Sequence, residues 1–238
     1  EEVEQVADGT ENNSALTEEK IPILKSLMLL LSNKYWVMLL IAVLVMNIQA
    51  AMMQSSQLYF LKWIYGDENL VAFLGMFGLL PFVIGYALTG PLMFKFGQHK
   101  IVRVGLLIAI VGSVAKVLFA TNLVMLIVTG FVASIGTVPF SSVYSAMIQE
   151  TADYNKEKFG VRMVGMTNSA NSFGVKVGTG IGAALVGWVL AFTGYVGTAA
   201  EQTQTALAGI NALFLWIPLV LIVLTYIALS RFDLGEKK

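Results

Sequence analysis

The sequence predicts an all-α membrane protein, a bundle of six transmembrane helices, on three observations. Of 238 residues 57% are hydrophobic and 13% charged, where soluble domains carry about 25% charged residues. Six long apolar runs lie at 36–61, 72–94, 101–121, 123–148, 165–193 and 210–230, each long enough to cross ~30 Å of hydrocarbon at 1.5 Å per residue. Lysine and arginine fall almost entirely on alternate connections between those runs, as the positive-inside rule requires. The roughly ten-residue alternating strands of a β-barrel do not occur.

The elements follow in order. Residues 1–19 carry seven acidic groups and no apolar period, the composition of a solvated, disordered segment. The run 21–33, opened by Pro22, suits a first helical turn but is short for a span; it is expected to lie in the interface. Twelve basic residues then sit on one side of the six spans: Lys20, Lys25, Lys34, Lys95, Lys100, Arg103, Lys156, Lys158, Arg162, Arg231, Lys237 and Lys238. The other side has Lys62 alone. Both termini are therefore expected in the cytoplasm, of a multi-pass protein of the cell membrane. Zero net charge gives no basic surface for nucleic acid. The absence of cysteine excludes disulfides and thiolate chemistry, and the single histidine, His99, falls in a predicted loop. The chain opens on Glu1-Glu2-Val3 with no signal peptide, so a longer parent is expected.

Lys116 and Lys176 remain, both inside spans. Lys176 is eleven residues past Gly165, about 16 Å into the membrane at the helical rise, where a lysine costs at least ~2.5 kcal/mol. No Asp or Glu lies inside any of the six runs to pair with it. Ser169, Ser172, Lys176 and Thr179 share one helical face; Gly174, Gly178 and Gly182 lie nearly opposite, where small residues let a neighbouring backbone approach. The lysine face is expected to border a polar cavity. Lys116, about five residues from the outer end of its run, is expected to snorkel outward. In the fourth run Ser134, Thr137, Ser141, Tyr144 and Ser145 form a stripe, and Gly136 and Pro139 predict a bend or half-break. Such breaks often line cavities, although Ser and Thr also pack between helices. The first run places Asn47, Ala51, Gln54 and Ser55 on one face, with Gln49 and Gln57 beyond it; amides so placed suit a hydroxyl-rich solute. Nothing indicates an enzyme: HExxH, GxSxG, a P-loop and an intramembrane Asp pair are all absent.

The stretch from Glu150 to Gly165 contains Asp153-Tyr154, Gly160, Arg162 and Gly165, followed by Lys176 and then Gly194-Tyr195. In order and spacing this resembles the signature of the glycoside–pentoside–hexuronide:cation symporter family of the major facilitator superfamily. Leu58-Tyr59-Phe60-Leu61-Lys62-Trp63 and the turn Phe96-Gly97-Gln98-His99-Lys100 match as well. The resemblance runs from about residue 20 to 232. Glu150 stands where the family usually has Asp, Phe159 replaces Thr and Val164 replaces Glu.

The resemblance implies the second six-helix half of a twelve-helix major facilitator fold. Residues 1–33 would be the central cytoplasmic loop with its interfacial helix, 34–232 the transmembrane domain and 233–238 a cytoplasmic tail. It implies alternating access by a sugar (glycoside, pentoside or hexuronide):cation symporter, with the N-terminal six-helix half and the lipid bilayer as partners. Lys176, Ser172, Thr179, Asn47, Gln54 and Tyr144 would face the sugar. Glu150, Asp153 and Arg162 would latch the cytoplasmic side. No tightly bound cofactor is implied, and the coupling Na+ or H+ would sit mainly in the N-terminal half. A carrier of a lipid-like solute such as a lysophospholipid, and a non-transporting truncated membrane subunit, are the alternatives.

Overall fold

The computed structural model describes residues 22–160, 163–232 and 234, without the side chains of Ile23, Phe77 and Ala170. The acidic segment 1–19, Arg162 and most of the 233–238 tail lie outside the described residues. Helix α1 (Ile23–Leu31) leads into α2 (Lys34–Phe60), which ends in a π-helical turn at Leu61–Tyr65; α3 (Leu70–Gly78) and α4 (Leu80–Phe96) follow. Then come α5 (Gln98–Leu118), α6 (Leu123–Phe159) and α7 (Val164–Phe192). The last stretch is α8 (Gln204–Asn211), a π-helical turn at Ala212–Trp216, and α9 (Ile217–Ser230). These make six helices or helix pairs long and apolar enough to span a membrane. Large side chains such as Phe94, Phe192, Leu118 and Trp188 are exposed on the bundle. Such an exterior suits hydrocarbon rather than water.

Glycines set the two closest helix pairs, α2 with α7 and α5 with α6. A Cβ at Gly178 would fall 2.7 Å from the Leu44 carbonyl oxygen, and one at Gly182 would strike that of Ile48. On the other seam, a Cβ at Gly105 would meet the Gly136 carbonyl at 2.7 Å and the Pro139 ring at 2.9 Å. The expectation that these glycines admit a neighbouring backbone is met at Gly178 and Gly182, where the neighbour is the first span, while Gly174 meets the Leu40 side chain.

Three sequence expectations are corrected. The half-break expected at Gly136–Pro139 is absent, because α6 runs as helix from Leu123 to Phe159 with Pro139 inside. Gly105 packs against Pro139 and Gly136, and α6 stays helical through Pro139 although that residue supplies no N–H. The interruption lies instead in the second span, at Leu79 between α3 and α4, where Pro81 opens the new helix. A Cβ at Gly75 or Gly78 would meet nothing within 4 Å, whereas Pro81 itself is buried. Finally, of the connection expected between the runs 123–148 and 165–193, residues up to Phe159 continue α6, and His99 is the second residue of α5.

The segments that carry the family resemblance converge at the two ends. At one end the Trp63 Nε1–H donates to the Tyr195 hydroxyl (3.3 Å), and Tyr59 packs edge-on against Tyr195. At the other, basic end, Gly97 alone joins α4 to α5 at φ 80°, ψ 150°, a conformation open essentially to glycine. Gly97→Ala is expected to lower stability by ~1–3 kcal/mol, read as a lower unfolding temperature of the detergent-solubilised protein. Helix α1 seats Leu30 against Trp36 and Met163 and leaves Leu24, Met28 and Leu31 exposed, so one apolar side is left for lipid.

Candidate functional site

The spans border an open-sided cavity of about 670 Å³, within the ~300–1,000 Å³ of small-molecule sites. Helix α2 presents amides to it because Asn47, Gln54 and Gln57 recur at helical spacing with Ala50 and Ala51 between them. The small residues leave room while the amides supply polarity. Helix α6 presents the predicted stripe Ser134, Thr137, Ser141 and Tyr144, without Ser145. The hydroxyls of Thr137 and Ser141 donate back to carbonyls of their own helix, a use that satisfies them in a dry setting and leaves their oxygens able to accept. Asn47 donates to the Val43 carbonyl (2.8 Å), so its side-chain oxygen remains available. Gln54 and the Tyr144 hydroxyl make no hydrogen bond among the described residues. Gly78 and Phe82, on either side of the α3–α4 interruption, complete part of the wall.

Of the six residues expected to face a solute, Asn47, Gln54, Tyr144 and Thr179 line this cavity together. Ser172 and Lys176 do not belong to its wall; both are exposed on α7. Val175, beside Lys176, and Thr179, one turn on, do reach the cavity. The lysine therefore sits at the border of the concavity.

Lys116 reverses its sequence expectation. It does not snorkel outward: it is 6% exposed, lines the cavity and donates to the Phe214 carbonyl (3.1 Å). Its ammonium nitrogen lies 3.5 Å from the centre of the Phe214 ring. The sequence four residues beyond explains the attraction. In an α-helix the Phe214 carbonyl would accept from the N–H of residue 218, but residue 218 is proline and has none. Pro218 thus leaves an acceptor at membrane depth, next to a π-helical turn, and Lys116 supplies the donor. Burying a cation without a counter-charge is costly, and no carboxylate pairs with it among the described residues. The clue available in sequence was the pairing of an intramembrane lysine with a proline in another span.

The residues expected to latch one side divide. Glu150 accepts a very short hydrogen bond from Gln98 Nε2. Its other oxygen lies 3.2 Å from His99 Nε2, without the alignment of a hydrogen bond. Glu150 is thus held by α5 within this bundle. Asp153, one turn further on α6, is exposed. Nearby, Arg103 donates to the Phe232 carbonyl (2.7 Å), closing the end of the last helix onto α5.

Comparison with known proteins places these features. The family model described as MFS/sugar transport protein matches residues 3–236. The chain is 31% identical over 225 residues to the isoprimeverose transporter of Lactiplantibacillus pentosus, covering 92% of this chain and 46% of that protein. It is 31% identical over 185 residues to the uncharacterized symporter YnaJ of Bacillus subtilis (strain 168), covering 77% and 40%. An Escherichia coli (strain K12) protein provisionally named a sulfoquinovose importer is 28% identical over 224 residues, covering 93% and 48%. The chain spans about half the length of these relatives.

Proposed function

The chain belongs to the MFS/sugar transport protein family, among the glycoside–pentoside–hexuronide:cation symporters of the major facilitator superfamily, and on that premise we propose that it forms one wall of the site through which a sugar or glycoside crosses the membrane. The observation that supports this most is the cavity itself: amides from α2 and hydroxyls from α6 converge on a space of about 670 Å³. Sugars offer many hydroxyls that both donate and accept, and Asn, Gln, Ser, Thr and Tyr match both roles. The exposed polar face of α7, with Ser172 and Lys176, supplies the rim where a second six-helix half would close over the substrate. Two such halves rocking about a midplane site give alternating access.

The basic end is the cytoplasmic one in this reading. Asp153 and Arg162 serve the latch between halves there, and Glu150, engaged with Gln98 and His99, braces α6 behind it. No acidic residue lies between Glu68 and Glu150 or between Glu157 and Glu201, so the coupling Na+ or H+ is assigned to the other half.

Counterflow of radiolabelled melibiose, a xyloside and a glucuronide into proteoliposomes holding the complete transporter tests the proposal. Uptake of none of the three would defeat it. Gln54→Leu removes an amide with no internal partner, so the protein should fold normally. Loss of one hydrogen bond of ~0.5–1.5 kcal/mol to the sugar predicts about 2- to 10-fold weaker uptake at subsaturating sugar. Undiminished uptake would remove Gln54 from the site.

A further inference from the structure

We propose that Lys116 is the anchor for an anionic substituent, a carboxylate or sulfonate, on the polyol that occupies the cavity. The inference rests on the sugar-transport reading and adds the charge of the substrate to it. Three features of the site carry it. Lys116 is nine-tenths buried and belongs to the cavity wall. One of its three N–H donors goes to the Phe214 carbonyl, which leaves two to bind something else. No carboxylate lies within ion-pair distance of it among the described residues.

A neutral donor would suffice to cap the carbonyl that Pro218 orphans. A glutamine or serine would do so without bringing an uncompensated charge to membrane depth, so the carbonyl does not by itself account for a lysine. The Phe214 ring, 3.5 Å from the ammonium, attracts a cation without neutralising it. The carbonyl and ring thus hold the Lys116 nitrogen at the cavity wall. Ser113 lies one turn before Lys116, is buried and lines the same space, and its hydroxyl can give a second donor to an anion. A carboxylate or sulfonate arriving on the substrate would supply the missing counter-charge, and charge-assisted bonds are the strong ones in such a setting. Lys116 is therefore distinct from Lys176, which stands exposed at the border.

The test uses the complete transporter in proteoliposomes and matched pairs of probes that differ only at carbon 6. These are methyl glucoside against methyl glucuronide and methyl galactoside against methyl galacturonide, each as a competitor of uptake. The wild-type protein should favour the acid of a pair by ten-fold or more. Lys116→Gln keeps a donor for Phe214 and should abolish that preference, so that acid and neutral partner compete equally. Lys116→Arg should keep the preference. Equal affinity for acid and neutral partner in the wild type overturns the proposal whether or not any variant folds. A Lys116→Gln variant that weakens both partners equally also overturns it, and leaves sugar transport standing. Failure of all four glycosides to compete overturns the proposal together with the sugar-transport reading.

Discussion

Gly136→Val is expected to leave no stably folded protein. A Cβ at Gly136 would fall 2.8 Å from Ala109 Cα and press on the Ala109 nitrogen and the Gly105 carbonyl oxygen. All three are backbone atoms, so no side chain can swing aside. Relief requires α5 and α6 to separate along the seam where they also meet through Gly105 and Gly112. Overpacking costs ~1–3 kcal/mol where side chains can adjust, and here it should exceed that range. Size-exclusion chromatography after detergent extraction should show aggregate in place of the native peak. Gly90→Ala is the control, because a Cβ there meets nothing within 4 Å; its native peak and unfolding temperature should be unchanged or improved. A monodisperse Gly136→Val protein with the native unfolding temperature would mean that α5 and α6 are not so closely packed.

The same seam shows what could be read from the residues and what could not. Six spans are legible because hydrocarbon thickness imposes a length and a composition that chance seldom meets. The α7 glycines were legible too, since three small residues at a spacing of four define a face without reference to any partner. Which helix they meet is set by tertiary packing and cannot be taken from one segment. The fourth-span proline shows the limit from the other side. Pro139 and Pro81 each remove one helical donor, yet only Pro81 coincides with an interruption. Pro91 likewise lies inside α4 without interrupting it, so which proline breaks a helix is not set by the residue alone, and a sequence read one helix at a time does not decide it. Lys116 was misjudged for a related reason. Nearness to the end of a span favours outward snorkelling, but the Phe214 carbonyl, ninety-eight positions away and stripped of its helical donor by Pro218, draws the side chain inward. The expected wall of amides and hydroxyls was legible because it rests on helical spacing within α2 and α6.

A tie at the basic end of the bundle makes a prediction of comparable size. Asn33 is fully buried and works in two directions. Its side-chain oxygen accepts from the Tyr35 and Trp36 backbone N–H groups (3.0 and 3.3 Å), capping α2. Its amide nitrogen donates to the Thr151 carbonyl (3.2 Å) and to Asn155 Oδ1 (2.9 Å), tying the start of α2 to the end of α6. Asn33→Ala loses a cap of about 1 kcal/mol. It also strands the buried Asn155 oxygen, at ~1–3 kcal/mol. The expected destabilisation is therefore about 2–4 kcal/mol, read as a fall in unfolding temperature. Asn33→Asp divides the two roles. It keeps the capping oxygen but replaces the donor with a second acceptor, so it should be at least as harmful as alanine if the tie to α6 dominates. It should be nearly neutral if the cap dominates. Adding Asn155→Leu to Asn33→Ala removes the stranded polar group, and apolar replacement of both partners can approach neutrality. The double variant should recover all but the capping share. A double variant no more stable than Asn33→Ala would show that the cost lies in the cap, and that α2 and α6 are held at this end by other contacts, such as Tyr35 against Tyr154.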